Sequence, residues 1–288
     1  MSDVTIGIIG GSGLYAMEGL TVLEERAVAT PFGEPSDPYV IGEIDGMRVA
    51  FLARHGRGHR LNPTEVNYRA NLFGFKLLGV HTILSASAVG SMKEQYAPTD
   101  IVFPHQFIDR TRHRPDTFFG NGIVAHVAFA DPICAGVSFL MGEVARGAGA
   151  RTHMGGVYVC MEGPQFSTRA ESTLYRSWGV DVIGMTNLTE AKLAREAEIC
   201  YATMALVTDY DCWHESHEDV SVDQVLAYLR ANAEMAQKIL RGSIARVAER
   251  KRDCGCAHAL QYAIITDPAA IPESAKRELA PLIGKYVK

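Results

Sequence analysis

Three stretches of the chain carry side chains that could do chemistry. Arg54-His55-Gly56-Arg57-Gly58-His59-Arg60 places three arginines and two histidines in seven positions. Arginine presents a planar fork of N–H donors that matches phosphate oxygens. In an acidic chain such a cluster points to a bound anion; the plainer reading is a solvated basic loop. His55-x-x-x-His59 also has the spacing of a zinc pair. The glutamate of the HExxH pattern is missing, however, and no metal site is expected. Asp209-x-Asp211 follows an apolar run. Paired carboxylates push their pKa values apart, and one can stay protonated to donate a proton. A protonated carboxyl suits a purine leaving through N7; a metal site, a turn or a helix cap are the other readings. Gly10-Gly11-Ser12-Gly13 can wrap an anion with backbone N–H groups and one hydroxyl. Gly11-Ser12-Gly13-Leu14-Tyr15-Ala16 also fits a dinucleotide fingerprint. Gly19 comes too soon for its long helix, and no acidic residue closes a second strand about 20 residues on.

These segments need regular elements to hold them. Residues 5–9 read as a buried strand ending in the Gly-rich turn, and residues 47–53 as a strand ending at Arg54. Residues 64–78 read as a helix stopped by Gly79, and 80–86 as a strand ending at Ser87. Thr168-x-x-Glu171 is a capping-box pattern whose helix stops at Gly179. Strands follow at 180–183 and 201–207, separated by a helix that Asn187-x-x-Glu190 could cap. Ser221-x-x-Gln224 opens a long helix with an apolar stripe from Val222 through Leu226 to Val247. The alternation predicts an α/β fold, a largely parallel twisted sheet covered by helices in one domain. Ligands of such sheets sit at the carboxyl ends of strands. The polar segments at Gly10–Gly13, Arg54-His55, Ser87, Met185-Thr186 and Asp209–Asp211 all fall there, which predicts one composite site.

Bulk properties narrow the partners. The chain has 288 residues, 47% of them apolar and 21% charged, with a net charge of −5. That balance is ordinary for a globular enzyme and argues against a nucleic-acid partner. No apolar run of about 18 residues suggests a membrane span. The start, Met1-Ser2-Asp3, lacks the basic and apolar regions of a signal peptide, so a cytoplasmic protein is expected. Of the six cysteines, only Cys254-Gly255-Cys256 form a pattern. A local disulfide, a redox element, half a metal site or two ordinary thiols all fit it; the others read as small core residues.

Gly7-Ile8-Ile9-Gly10-Gly11-Ser12-Gly13-Leu14, Ala53-Arg54-His55-Gly56-Arg57, Asn67-Tyr68-Arg69-Ala70-Asn71 and Asp109-Arg110-Thr111 resemble the methylthioadenosine phosphorylases of the purine nucleoside phosphorylase family. So do residues 162–171 and Thr208-Asp209-Tyr210-Asp211-Cys212-Trp213. The likeness runs in order over about residues 4–250, leaving 251–288 as a C-terminal tail of one domain. Ser12 and Ser87 stand where many members have threonine, which keeps the hydroxyl.

The resemblance implies a single-domain nucleoside phosphorylase fold with a twisted mixed β-sheet flanked by helices. It implies phosphate binding by Ser12, Arg54, His55, Ser87 and Thr186. Met185 would lie under the ribose and Phe166 on the purine, with Asp209 and Asp211 as catalytic residues at its N6 and N7 edge. His59, Val222 and Leu226 would line a 5′-methylthio pocket, and His126 would serve a neighbouring subunit's site. The implied reaction is phosphorolysis of 5′-methylthioadenosine, with phosphate as co-substrate and no cofactor. A homotrimer is implied, or a hexamer, since some members with a Cys-x-Cys tail form hexamers and can close that pair as a disulfide. Phosphorolysis of methylthioinosine, inosine or guanosine is the near alternative. A hydrolytic nucleosidase and a non-catalytic nucleotide binder are more distant ones.

Overall fold

The computed structural model describes residues 4–11, 17–214 and 222–287, excepting the side chains of 222–227 and 229–231. In chain order the strands are β1 (Ile6–Gly10), β2 (Thr21–Arg26), β3 (Tyr39–Ile44), β4 (Met47–Ala53), β5 (Thr82–Ser91), β6 (Ile101–Phe103), β7 (Gln106–Arg110), β8 (Thr152–Met154), β9 (Val157–Met161), β10 (Val182–Gly184) and β11 (Cys200–Asp209). The longer helices are α1 (Tyr68–Leu77), α2 (Ala135–Gly147), α3 (Arg169–Ser177), α4 (Asn187–Glu196) and α5 (Val222–Glu249).

Continuous apolar runs, as in Ile6-Gly7-Ile8-Ile9, form strands that are covered on both faces. All five residues of β1 are buried. β1 lies between β4 and β5, parallel to both. β5 and β11 pair in parallel along nearly their whole length and form the spine of the sheet. β10 runs antiparallel to β5, and β2–β3, β3–β4 and β6–β11 are antiparallel too. Among the described residues six of the ten strand pairings are parallel, in keeping with the alternation, and four are antiparallel, so the sheet is mixed as the family resemblance implies.

The helices cover this sheet. α5 lays Ala236, Ile239, Leu240, Ile244 and Val247 on the core, the stripe predicted for its second half. The Thr168 hydroxyl accepts from the Glu171 N–H, and the Glu171 carboxylate takes the Thr168 N–H. That reciprocal cap is worth about 1 kcal/mol and starts α3 directly after the Phe166-Ser167 segment. α1 starts at Tyr68, later than the predicted position 64, because the Asn67 side chain caps it by accepting from Ala70 N.

Two further differences bear on the site. β5 continues through Ser87 to Ser91, so Ser87 lies within the strand and not past its end. Asn187 is the first residue of α4 and does not cap it; the cap is Thr186, with no side-chain capping bond. The C-terminal segment is also no loose tail. After α5 it folds back, and Cys256, Leu260, Ile271, Leu279 and Ile283 join the main core. Among the described residues no helix is long and apolar enough to cross a membrane.

Candidate active site

A cavity of about 900 Å³ opens over the ends of β4 and β11 and the second half of β5. Gly11, Arg54, His55, Ser87, Met185, Thr186, Asp209 and Asp211 all line it, so the polar strand ends do converge. Register explains the meeting. Val182 faces Ser91 and Ile183 faces Gly90, so antiparallel β10 leads the chain back along β5. Met185 and Thr186 thereby arrive on the same wall as Ser87, although they lie about a hundred residues further along.

The floor is organised by a buried ion pair. Arg54 Nε donates to Glu190 Oε1 (2.5 Å) and Nη2 to Glu190 Oε2 (3.1 Å). Arg54 also donates to the Ala86 carbonyl (3.0 Å) and to Ser85 Oγ (2.7 Å). Glu190 takes further bonds from Tyr201 OH (2.6 Å) and Ser85 Oγ (3.1 Å). Burial alone would raise the Glu190 carboxyl, but the charge and hydrogen bonds of Arg54 outweigh it and hold Glu190 below the usual carboxylate range. Four of the five guanidinium N–H groups are thus committed, which leaves one for a ligand. Asn187 extends the network, donating to Tyr201 OH (2.9 Å) and accepting from Ser87 Oγ (2.5 Å).

The rest of the basic cluster is paired as well. Arg57 meets Glu25 (2.8 Å) and Asp37 (3.6 Å), and Arg60 donates to the Ser36 carbonyl (2.6 Å). His55 is neutral near pH 7. Burial first, then the Arg54 charge, lowers its pKa to about 4. Its Nδ1 lies 2.8 Å from the Leu61 carbonyl. A carbonyl only accepts, so Nδ1 holds the proton and Nε2 is an acceptor. His59 stacks on His55, ring centroids 4.3 Å apart. This end of the cavity thus presents oriented donors: the remaining Arg54 N–H, the hydroxyls of Ser87 and Thr186, and the start of α4, whose N-cap makes no side-chain capping bond.

At the far end, β11 carries a register shift between Val207 and Asp209. Such a bulge re-aims a side chain. Asp209 Oδ2 accepts from Thr208 Oγ1 (2.7 Å) and Oδ1 from the Asp211 N–H (2.8 Å). Burial raises the Asp209 pKa; those two hydrogen bonds oppose it, and the Asp211 charge adds a smaller upward push. Gly90 makes room for this carboxyl, since a Cβ there would come within 2.8 Å of Asp209 Oδ1. Asp211 is held by Ser167 Oγ (2.7 and 2.8 Å).

Between the two ends lie Phe166, 44% exposed, and Met185. Met185 is held by Arg114, buried, whose Nη1 donates to the Met185 carbonyl and whose Nη2 donates to the Glu162 carbonyl (2.6 Å). Gly163, at φ 68°, passes so close under Met185 that a Cβ would lie 2.5 Å from its sulfur. His126 lies elsewhere, in a second cavity of about 490 Å³ beside Thr117 and Glu196. Ser12 lies outside the described residues, as do the side chains of Val222 and Leu226. Glu190, Asn187 and Arg114 are organisers that no local pattern marked as such. Glu190 read as a helix cap, and only its place one turn after Met185-Thr186 hinted at the site.

The sequence profile of the phosphorylase superfamily matches residues 5–245. The S-methyl-5′-thioadenosine phosphorylase of Geobacter sulfurreducens is 62% identical, covering 99% of this chain and 100% of its own. That of Koribacter versatilis is 59% identical, over 98% and 96%. The crystal structure of a methylthioadenosine phosphorylase from an antarctic soil metagenomic library superposes with a TM-score of 0.94 at 49% identity, over 98% and 99%. An S12T mutant of the adenosine/methylthioadenosine phosphorylase of Schistosoma mansoni, in complex with methylthioadenosine, superposes with a TM-score of 0.84 at 35% identity, over 90% and 96%.

Removing one partner of a buried pair strands the other charge, at a cost of about 3–5 kcal/mol. Glu190→Ala is therefore expected to destabilise the protein by that amount, measured by urea unfolding at pH 7. The folded-state pKa of Glu190 is lowered, so its contribution is full above the unfolded value of about 4.3 and is lost as pH falls through the lower folded value. The gap between wild type and variant should close in that acid window; a constant gap would place the stabilisation elsewhere.

Proposed function

The chain belongs to the phosphorylase superfamily, and from that premise we propose that it cleaves 5′-methylthioadenosine with inorganic phosphate, releasing adenine and 5-methylthioribose 1-phosphate. One observation supports this above the rest: a single cavity holds an anion cradle at one end and a buried carboxyl with a raised pKa at the other. Phosphorolysis needs both, an anionic nucleophile below the sugar and a proton donor beside the departing base.

Phosphate would sit against the remaining Arg54 N–H, the Ser87 and Thr186 hydroxyls and the start of α4, with Ser12 closing the Gly-rich side. Ser87, which donates to Asn187 in the free protein, turns its proton to the anion. His55 Nε2 accepts the O–H that phosphate carries in either ionic form present near pH 7. As the glycosidic bond lengthens, the ribosyl group gains positive charge. The bound anion stabilises it and then bonds to C1′, so no covalent enzyme intermediate is needed. Such positioning can remove about 7–11 kcal/mol of barrier.

Adenine stacks on Phe166, with the ribose over Met185. Asp209 faces N7 and the 6-amino group. In its protonated form it passes a proton to N7, worth roughly 10²–10⁴-fold, and as a carboxylate it accepts from the amino group. Asp211, gripped by Ser167, holds Asp209 through its backbone N–H and lines the same edge. His59 lines the cavity and is assigned to the 5′ pocket, together with Val222 and Leu226, whose side chains lie outside the described residues. Burial of the methylthio group there gains about 0.8 kcal/mol per CH₂-sized unit, so discrimination against adenosine is modest. No cofactor or metal takes part in this chemistry. We propose a homo-oligomer, the trimer or hexamer that the resemblance implies, because His126 lines a different cavity of its own chain and its assigned role needs a neighbouring subunit; a cytoplasmic location is proposed with it.

The deciding assay is adenine release from methylthioadenosine with and without orthophosphate. Release is expected only with phosphate; equal rates in its absence would make the protein a hydrolase. Asp209→Asn replaces an acceptor by an amide that donates to a 6-oxopurine. Its kcat/KM should fall on methylthioadenosine and rise on inosine, and movement in the same direction on both would remove Asp209 from base selection. Sedimentation of a monomer that retains full activity would remove His126 from the site.

A further inference from the structure

Four of the six cysteines meet at one point, far from the cavity. The sulfurs of Cys134, Cys200, Cys254 and Cys256 all lie within 4.8 Å of one another. Cys254 Sγ is 3.4 Å from Cys200 Sγ and 3.8 Å from Cys134 Sγ. All four are free thiols, three of them buried and Cys254 half-buried. They come from three separate parts of the fold. Cys134 is the N-cap residue of α2, Cys200 is the first residue of β11, and Cys254 and Cys256 flank Gly255 just after α5.

Zinc bound to four thiolates has Zn–S bonds of about 2.3 Å, which sets the edge of the sulfur tetrahedron at about 3.8 Å. The measured separations lie close to that edge and well above the S–S bond length of about 2.05 Å. Soft sulfur ligands in a tetrahedral set select zinc or an iron–sulfur centre and reject magnesium and calcium. The surroundings suit the net negative charge of a zinc tetrathiolate. Arg250 and Arg252 lie within electrostatic reach of the thiols, and the buried Arg252 Nε–H has no acceptor among the described residues. Cys134 sits at the positive end of the 13-residue α2.

We propose that Cys134, Cys200, Cys254 and Cys256 bind one structural Zn²⁺ ion that fastens the C-terminal segment to the base of the sheet. Four S–H bonds give way to four Zn–S bonds, the four protons leave to solvent, and nothing is oxidised or reduced. The position defines the role. Cys200 and Asp209 are the two ends of β11, nine residues and so about 30 Å apart. The ion therefore touches no substrate. It joins α2, β11 and the segment after α5, which is otherwise held by packing and by hydrogen bonds such as those of Arg252 Nη2 to the Glu198 carbonyl (2.9 Å) and of Leu260 N–H to the Glu198 carboxylate (3.1 Å). The Cys-x-Cys pair is half of the site, and Cys134 at the start of α2 with Cys200 at the start of β11 supplies the other half.

The test is metal analysis of the full chain purified under reducing conditions. About one zinc per chain is expected. After chelation under reductant, Co²⁺ should bind at one per chain with the charge-transfer and visible bands of a tetrahedral tetrathiolate. The double variant Cys254→Ser/Cys256→Ser should lose the metal and melt at a lower temperature, with unchanged kcat/KM for phosphorolysis at room temperature. If that variant fails to fold, the cobalt titration of the wild type still decides. Reduced wild-type protein holding less than about one-tenth of a zinc and giving no cobalt bands would overturn the site. So would iron in place of zinc, or a double variant that keeps its metal.

Discussion

A buried positive charge is tolerated only when something opposite in sign is held against it, and Arg54 meets that condition through Glu190. Taking both charges out of water costs several kcal/mol per ion. The cost is offset by two N–H···O contacts, by the Ser85 and Tyr201 hydroxyls on the same carboxylate, and by the Ala86 carbonyl. These partners sit on three elements: Ser85 and Ala86 on β5, Glu190 on α4 and Tyr201 on β11. The pair thus locks the end of β4 to three other parts of the fold. The guanidinium that lines this end of the cavity cannot move without stranding Glu190.

This arrangement changes what the basic cluster means. Three arginines in seven positions suggest a pool of free positive charge. In the folded chain Arg54, Arg57 and Arg60 are each engaged within the protein, and His55 is neutral. An anion there meets fixed N–H and O–H dipoles instead of mobile charges. Fixed dipoles need no reorganisation as charge shifts along the reaction, which is why they stabilise transition states well.

Much of the site was legible because strand ends and helix caps are local signals. The apolar runs before Arg54 and Asp209, and the Thr168 box before α3, depend on neighbours within a few positions. Glu190 was not legible in its real role. Its spacing from Asn187 reads as a helix cap, which α4 does not use; its partner lies 136 residues away, and no periodicity reports a contact at that range. The same holds for Arg114 and the Met185 carbonyl, and for Cys134 and Cys200, which look like isolated core thiols until the fold brings Cys254 beside them. The strand end set at Ser87 failed for a related reason. Small and polar residues, Ser87-Ala88 and Gly90-Ser91, look like a turn, but they form a strand because β11 pairs with Ser87 through Gly90 and β10 with Gly90 and Ser91.

That stretch of β5 shows why small residues belong at its centre. Gly90 must leave space for the Asp209 carboxyl and for Ile183, and Ser87 must reach Asn187. Larger β-branched residues would strengthen the strand by propensity and fill the cavity from below. The bulge in β11 opposite Gly90 completes the arrangement. It breaks the ladder for one residue and turns Asp209 so that Thr208 and the Asp211 N–H hold its two oxygens. A regular strand would leave the carboxyl without that grip. The local loss of sheet regularity is therefore the means by which a titratable group is both buried and aimed, and burial is the largest cause of its raised pKa.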